Sequence, residues 1–237
     1  MGKSDYLESF ENVKRINDFS FAKNTTYACG GIAEIAYYPT TIKQATAIYD
    51  YLTETGKSFV MLGNGSNVLA SDNYFDGAVI CTKDLKGVVQ AGEDTIFCYA
   101  GTSVSHLLKY CVEHSLGGLE YLAGIPATLG GLAYMNGGAG GVYINNNIVS
   151  VMLYNGTIHK FSNKKCNFGY KYSIMRDINS LILGVDLKVY PQSSEKVREN
   201  IYKFLAKRKF HPKGACCGCV FKNVGNLSAG KLLADCG

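Results

Sequence analysis

Between Gly117 and Gly141 the chain returns to glycine every few residues, yet this stretch is not a linker. Leu119, Tyr121, Leu122, Ile125, Leu129, Tyr134 and Met135 stand among the glycines. Large apolar residues are wasted in a solvated tether. Glycines beside them point instead to backbone that closely approaches something else. The flanks alternate strand and helix patterns. Ile32–Tyr38, Phe59–Leu62, Ala78–Thr82, Thr95–Ala100 and Leu181–Val189 read as strands. Thr41–Thr55, Ser103–His114 and Ser194–Lys209 carry apolar residues at helical spacing. Asn155-Gly156, between Ile148–Leu153 and Thr157–Phe161, signals a hairpin with a two-residue turn. The expected class is α+β with mixed sheets.

Composition narrows the function classes. Of the 237 residues, 47% are hydrophobic and 18% charged, so the chain is expected to fold and to be soluble. A nucleic-acid binder would usually concentrate its charge, but the net charge of +5 is spread along the chain, denser only near Lys203–Lys213. An excess of this size suits an anionic small molecule equally well and by itself decides nothing. No run approaches the roughly 20 apolar residues of a membrane span. Met1–Lys23 is too charged for a signal peptide, so a cytoplasmic location is expected. The nine cysteines then read as reduced thiols, mostly small core residues. Cys216, Cys217 and Cys219 with Cys236 and His211 fit no common zinc spacing, and no metal is expected.

Gly63-Asn64-Gly65-Ser66-Asn67 follows a strand directly. Glycines let successive N–H groups converge on a phosphate, and Ser and Asn add donors. It is neither a Walker A loop nor a Rossmann fingerprint, since Val68 stands where the third glycine belongs. Alone, it fits a phosphate cradle and an ordinary tight turn equally. The second loop, Gly124-Ile125-Pro126-Ala127-Thr128-Leu129-Gly130-Gly131 with Met135–Gly141, tips the balance. Two such loops suit the pyrophosphate and the flat ring of a dinucleotide held between two lobes.

In this order the motifs resemble the UDP-N-acetylenolpyruvoylglucosamine reductases, also called UDP-N-acetylmuramate dehydrogenases. The likeness runs through Asn24-Thr25-Thr26-Tyr27 with Gly30-Gly31, both glycine loops and Phe168-Gly169-Tyr170-Lys171-Tyr172-Ser173. It continues in Gly218-Cys219-Val220-Phe221-Lys222-Asn223 and Ser228-Ala229-Gly230-Lys231-Leu232. The resemblance implies a two-lobed FAD-binding fold of the vanillyl-alcohol-oxidase type, followed by an α+β substrate-binding domain. The lobes are placed at residues 1–77 and 78–209, the latter with a linking helix, and the start of the substrate domain at 210–237. It also implies non-covalent FAD, because neither loop holds His or Cys, and NADPH as hydride donor.

The FAD contacts it implies are Gly63, Asn64, Gly65, Ser66, Asn67, Gly124, Ile125, Gly130, Gly131, Tyr134, Asn136, Gly138, Ala139 and Ile182. Gly140 departs from the family, which commonly has Tyr there. The implied reaction is reduction of UDP-N-acetylglucosamine enolpyruvate to UDP-N-acetylmuramate for peptidoglycan, by a monomer. Cys219 stands at the proton donor, usually Ser; a thiol, with an ordinary pKa near ~8.5, gives up a proton more readily than a hydroxyl. The unspecialised alternative is a structural thiol. Lys171 stands where the family has an Arg facing the substrate carboxylate, and supplies a point charge in place of a planar fork. Tyr170, Ser173, Lys222 and Asn223 are the implied substrate contacts, the last at the uridine diphosphate. Seven residues between Ser173 and Leu181 leave no space for the family's Tyr-bearing insertion, so the short form is expected.

Gly237 follows a helix just begun at Ser228–Cys236, which reads as a truncated domain, and the family's catalytic Glu belongs beyond it. The alternatives are a flavin module without turnover and an oxidase of the same superfamily.

Overall fold

The computed structural model describes residue 10 and residues 12–209, 214–216, 218–225 and 227–237. His211 and Cys217 lie outside the described residues. The chain opens with β1 (Lys14–Ser20), a helical turn α1 (Phe21–Asn24), β2 (Ile32–Tyr38), α2 (Ile42–Glu54), β3 (Phe59–Leu62) and β4 (Phe75–Cys81). The four strands form one sheet in the order β1-β2-β4-β3, antiparallel at β1–β2 and parallel elsewhere.

Next come β5 (Val88–Gln90), β6 (Thr95–Tyr99), α3 (Val104–Glu113), β7 (Leu116–Gly117), α4 (Leu129–Met135), β8 (Gly138–Ala139) and β9 (Val142–Tyr143). They are followed by β10 (Ile148–Tyr154), β11 (Ile158–Ser162), β12 (Leu181–Lys188), β13 (Tyr190–Pro191), α5 (Ser194–Lys207) and α6 (Ala229–Asp235). The second sheet is antiparallel throughout, in the order β11-β10-β12-β6-β5. Its central strand β12 is buried along Leu181–Leu187, as a strand paired on both edges and covered on both faces requires.

Helix α2 is the wall the two sheets share. Thr41 Oγ1 caps it by accepting from Gln44 N, and Ala45, Ile48, Tyr49 and Leu52 turn one stripe inward. That stripe packs in one cluster with Ala78 and Ile80 of β4 and with Leu181 and Leu183 of β12. Tyr49 Oη donates to Asn179 O at 2.9 Å, and Tyr154 Oη donates to Asp50 Oδ2 at 2.5 Å. The two sheets are therefore fixed against each other around the segments that carry the glycine loops.

Two expectations are corrected, and one strand is added. The hairpin turn has three residues, Asn155–Thr157, because Tyr154 and Ile158 still pair and Gly156 closes the loop at φ +95°. Part of the second glycine loop is helical: Thr128 Oγ1 accepts from Gly131 N and starts α4, which ends on Asn136 at φ +45°. Strand β1, unread in the sequence, is a charged edge strand in which only Phe19 is buried.

Of the eight described cysteines, Cys81, Cys98, Cys111 and Cys166 are buried. Burial pushes these thiols up, Cys111 to about 12 and Cys166 to about 11. The folded state thus keeps protons that the unfolded chain releases above about pH 8.5. Stability should fall as pH rises from there toward 11, because the unfolded state then binds fewer protons. In the native protein at pH 8, iodoacetamide should label Cys29, Cys216, Cys219 and Cys236 and spare those four; labelling of Cys98 or Cys111 without denaturant would contradict the packing. Among the described residues no helix is long and apolar enough to cross a membrane.

Candidate functional site

The first glycine loop leaves β3 with its backbone donors unclaimed. Among the described residues nothing accepts from the N–H groups of Gly63 to Asn67. A Cβ on Gly63 would lie 2.3 Å from Thr128 Oγ1, so the two glycine loops touch there. Asn64 Nδ2 reinforces the contact by donating to Pro126 O at 2.9 Å. Gly65 turns at φ +64° over Thr25, and any side chain there would strike Thr25 at 2.7 Å. Thr25 Oγ1 is buried beneath it without a hydrogen-bond partner. Ser66 is half-buried and Asn67 exposed.

The second loop supplies shape more than donors. Gly130 is buried with its N–H on Ala100 O at 2.8 Å, and the absence of a side chain lets α4 lie against Ala100. Gly131 is exposed at the capped end of the helix. Gly124 turns at φ +79° beside Arg208, whose Nη1 donates to Gly124 O at 3.3 Å, and Ile125 is half-buried next to it. A cleft of about 970 Å³ runs past Asn64, Ile125 and Thr128, with Lys83, Lys86 and Arg198 along it. Tyr134 is 39% exposed on α4, Gly138 and Ala139 pair in β8, and Ile182 is buried in β12.

The residues read as catalytic come from two distant segments. Gly169 and Tyr172 close a four-residue turn by exchanging backbone hydrogen bonds of 3.0 and 3.2 Å, with Tyr170 and Lys171 at its corners. Ser173 is fully buried; its Oγ donates to Tyr134 O at 2.7 Å and ties the turn to α4. Asn136 Nδ2 donates to Gly169 O at 2.9 Å and holds the other end. Against this turn lies the segment after residue 213. Lys171 Nζ donates to Cys219 O at 3.1 Å, and Asn223 N donates to Tyr170 Oη at 3.3 Å. Cys219 and Lys222 are exposed.

Sequence reasoning assigned no role to Thr25 and Thr26, although it singled out their motif. Thr26 Oγ1 donates to Cys216 O at 2.8 Å, and Cys216 N donates to Thr26 O at 2.9 Å. The Cys219 segment is thereby joined to the glycine-loop lobe as well as to the Lys171 turn. Ser173 and Ile182 are both buried.

Lys171 sits at φ +52°, a left-handed conformation that costs an L-residue with a side chain about 1–2 kcal/mol. Lys171→Gly should therefore raise the melting temperature by roughly 2 °C, while removing the charge at Cys219. A lower melting temperature would mean that the Lys171–Cys219 contact outweighs the backbone strain.

The donor set fits a flavin dinucleotide. The loop's amides are unclaimed, Gly63 and Gly65 admit no side chain, a buried hydroxyl nearby lacks a partner, and cations line the adjoining cleft, as a diphosphate requires.

Comparison with known proteins agrees. Residues 33–162 match the FAD binding domain family. The UDP-N-acetylenolpyruvoylglucosamine reductase of Chlamydia abortus is 32% identical over 220 residues, 91% of this chain and 73% of that protein. That of Moorella thermoacetica is 31% identical over 98% of this chain and 77% of its own length. The crystal structure of the Thermus caldophilus enzyme superposes with a TM-score of 0.79 at 27% identity, over 95% of this chain and 80% of that one. A solvent-stable cholesterol oxidase, 16% identical with a TM-score of 0.59 over 76% of this chain and 38% of its own, shares the fold alone. With two lobes around a flavin-fitting cradle and these relatives along nearly its whole length, the chain belongs to the UDP-N-acetylenolpyruvoylglucosamine reductase family.

Proposed function

We propose that this chain reduces UDP-N-acetylglucosamine enolpyruvate to UDP-N-acetylmuramate with NADPH and FAD, a cytoplasmic step of peptidoglycan precursor synthesis. The observation that carries the residue roles is the hydrogen bond from Lys171 Nζ to the backbone carbonyl of Cys219, which brings together two segments 48 positions apart. The two glycine loops would hold the flavin, which when bound would supply the hydride chemistry between NADPH and the terminal carbon of the enolpyruvyl group. The neighbouring carbon then needs one proton, and Cys219 supplies it from its thiol. Lys171 sets its charge against the substrate carboxylate, where negative charge grows as the hydride arrives.

Asn223 Oδ1 accepts from Ala229 N, which leaves Nδ2 to donate to the uridine diphosphate beside Lys222. Tyr170 holds Asn223 in place, and Ser173 holds the turn that carries Tyr170 and Lys171. The amides of Gly63 to Asn67 would hold the FAD pyrophosphate, and Tyr134, Gly138 and Ala139 would line the ring.

Anaerobic half-reactions test this. NADPH should bleach the flavin bands, and the enolpyruvyl substrate should restore them. Restoration by oxygen but not by substrate would favour an oxidase. A protein that bleaches and stays reduced in both cases would be a flavin module without the second step.

A further inference from the structure

We propose that Thr26 is a positioning residue that couples the filling of the flavin cradle to the placement of the Cys219 segment. The inference rests on the flavin reading above and adds a residue to it. None of the described residues 214–225 is buried, so few contacts can hold this segment in place. Two of them lie at the Lys171 turn: Lys171 to Cys219 and Asn223 to Tyr170. The contact on the opposite side is Thr26, which meets Cys216 with both its hydroxyl, at 2.8 Å, and its carbonyl, at 2.9 Å.

Thr26 also reads the cradle. Gly65 O lies 3.5 Å from the same hydroxyl, at the outer limit of a hydrogen bond, so the single proton goes to Cys216 O. The neighbouring Thr25 is wedged under Gly65, where a Cβ would come within 2.8 Å of Thr25 Cα. A loop packed that tightly cannot shift at Gly65 without moving Thr25 and Thr26. Thr25 Oγ1 is buried there without a hydrogen-bond partner. A diphosphate that fixes the Gly63–Asn67 amides therefore fixes Thr26, and Thr26 fixes Cys216, three residues before the proton donor.

Thiol reactivity reads this coupling without turnover. Cys219 of the full chain is alkylated with iodoacetamide, with and without FAD, and followed by fragment-resolved mass spectrometry, with the exposed Cys236 as internal reference. In the native protein FAD should slow labelling of Cys219 and leave Cys236 unchanged. In FAD-loaded Thr26→Val, which keeps the volume and removes the hydroxyl, Cys219 should react roughly five-fold faster, the equivalent of one hydrogen bond. Thr26→Ser should restore the native rate. Equal rates in Thr26→Val and the native protein would overturn the proposal. So would faster labelling of Cys236 as well, or loss of FAD from the variant, since either makes Thr26 a general structural residue. A native protein that takes up no FAD would instead bring down the flavin reading, and this inference with it.

Discussion

Cys219→Ala should stay yellow and be reduced by NADPH at close to the native rate, yet be reoxidised by UDP-N-acetylglucosamine enolpyruvate roughly 10²–10⁴-fold more slowly. The two half-reactions separate because Cys219 lies on the exposed segment held by Lys171 and Thr26, away from the amides that would receive the pyrophosphate. Removing its sulfur leaves no buried group unsatisfied and no cavity, so stability should barely change. Cys219→Ser keeps a donor and should retain most of the reoxidation. If Cys219→Ala reoxidises at near the native rate, the proton comes from another group and the thiol is structural. Stopped-flow absorbance at the flavin bands distinguishes these outcomes in one experiment.

The second large effect belongs to Gly63→Ala. The new methyl would lie 2.3 Å from Thr128 Oγ1, and that hydroxyl cannot easily move because it caps α4 through Gly131 N. Losing the cap costs about 1 kcal/mol. Displacing the loop also misaims amides whose bonds to a charged phosphate are each worth about 1.5–3 kcal/mol. Flavin affinity should therefore fall by roughly 10–100-fold, which fluorescence titration of FAD would measure. Gly92→Ala is the control. It has ordinary contact with Thr95 at 3.7 Å and no positive φ, so its flavin affinity should be native. Native affinity in Gly63→Ala would mean that the pyrophosphate is held elsewhere.

Much of this was legible in the sequence wherever burial leaves a period. Ile32–Tyr38 and Phe59–Leu62 read to the residue as short apolar runs rich in β-branched and aromatic residues. Helix α2 reads to within one residue at each end because its core face repeats at three to four. Strand β1 was not legible, since an edge strand with one buried side chain has no alternation to read. Helix α4 was hidden because Gly130 and Gly131 lower helix propensity, and the closeness of Ala100 explains the first of them. The site divides in the same way. Its glycine loops, Lys171 and Cys219 stand out as local motifs. Thr26 does not, because its partner is 190 residues away and nothing beside it in the chain announces the contact.

The place of β12 in the second sheet bears on how the protein is made. β5 and β6 can pair as soon as both have emerged, and so can β10 and β11, but neither ribbon has the other to rest on. The strand between them, Leu181–Lys188, pairs with Thr95–Tyr99, translated nearly ninety positions earlier, and completes the cluster around α2. During synthesis at about 5–20 residues per second, the first half of the chain waits several seconds with its apolar faces open. Closure then depends on long-range contacts, which are slow to form. Until that strand arrives, the two ribbons are the part of the growing chain most exposed to pairing with other chains.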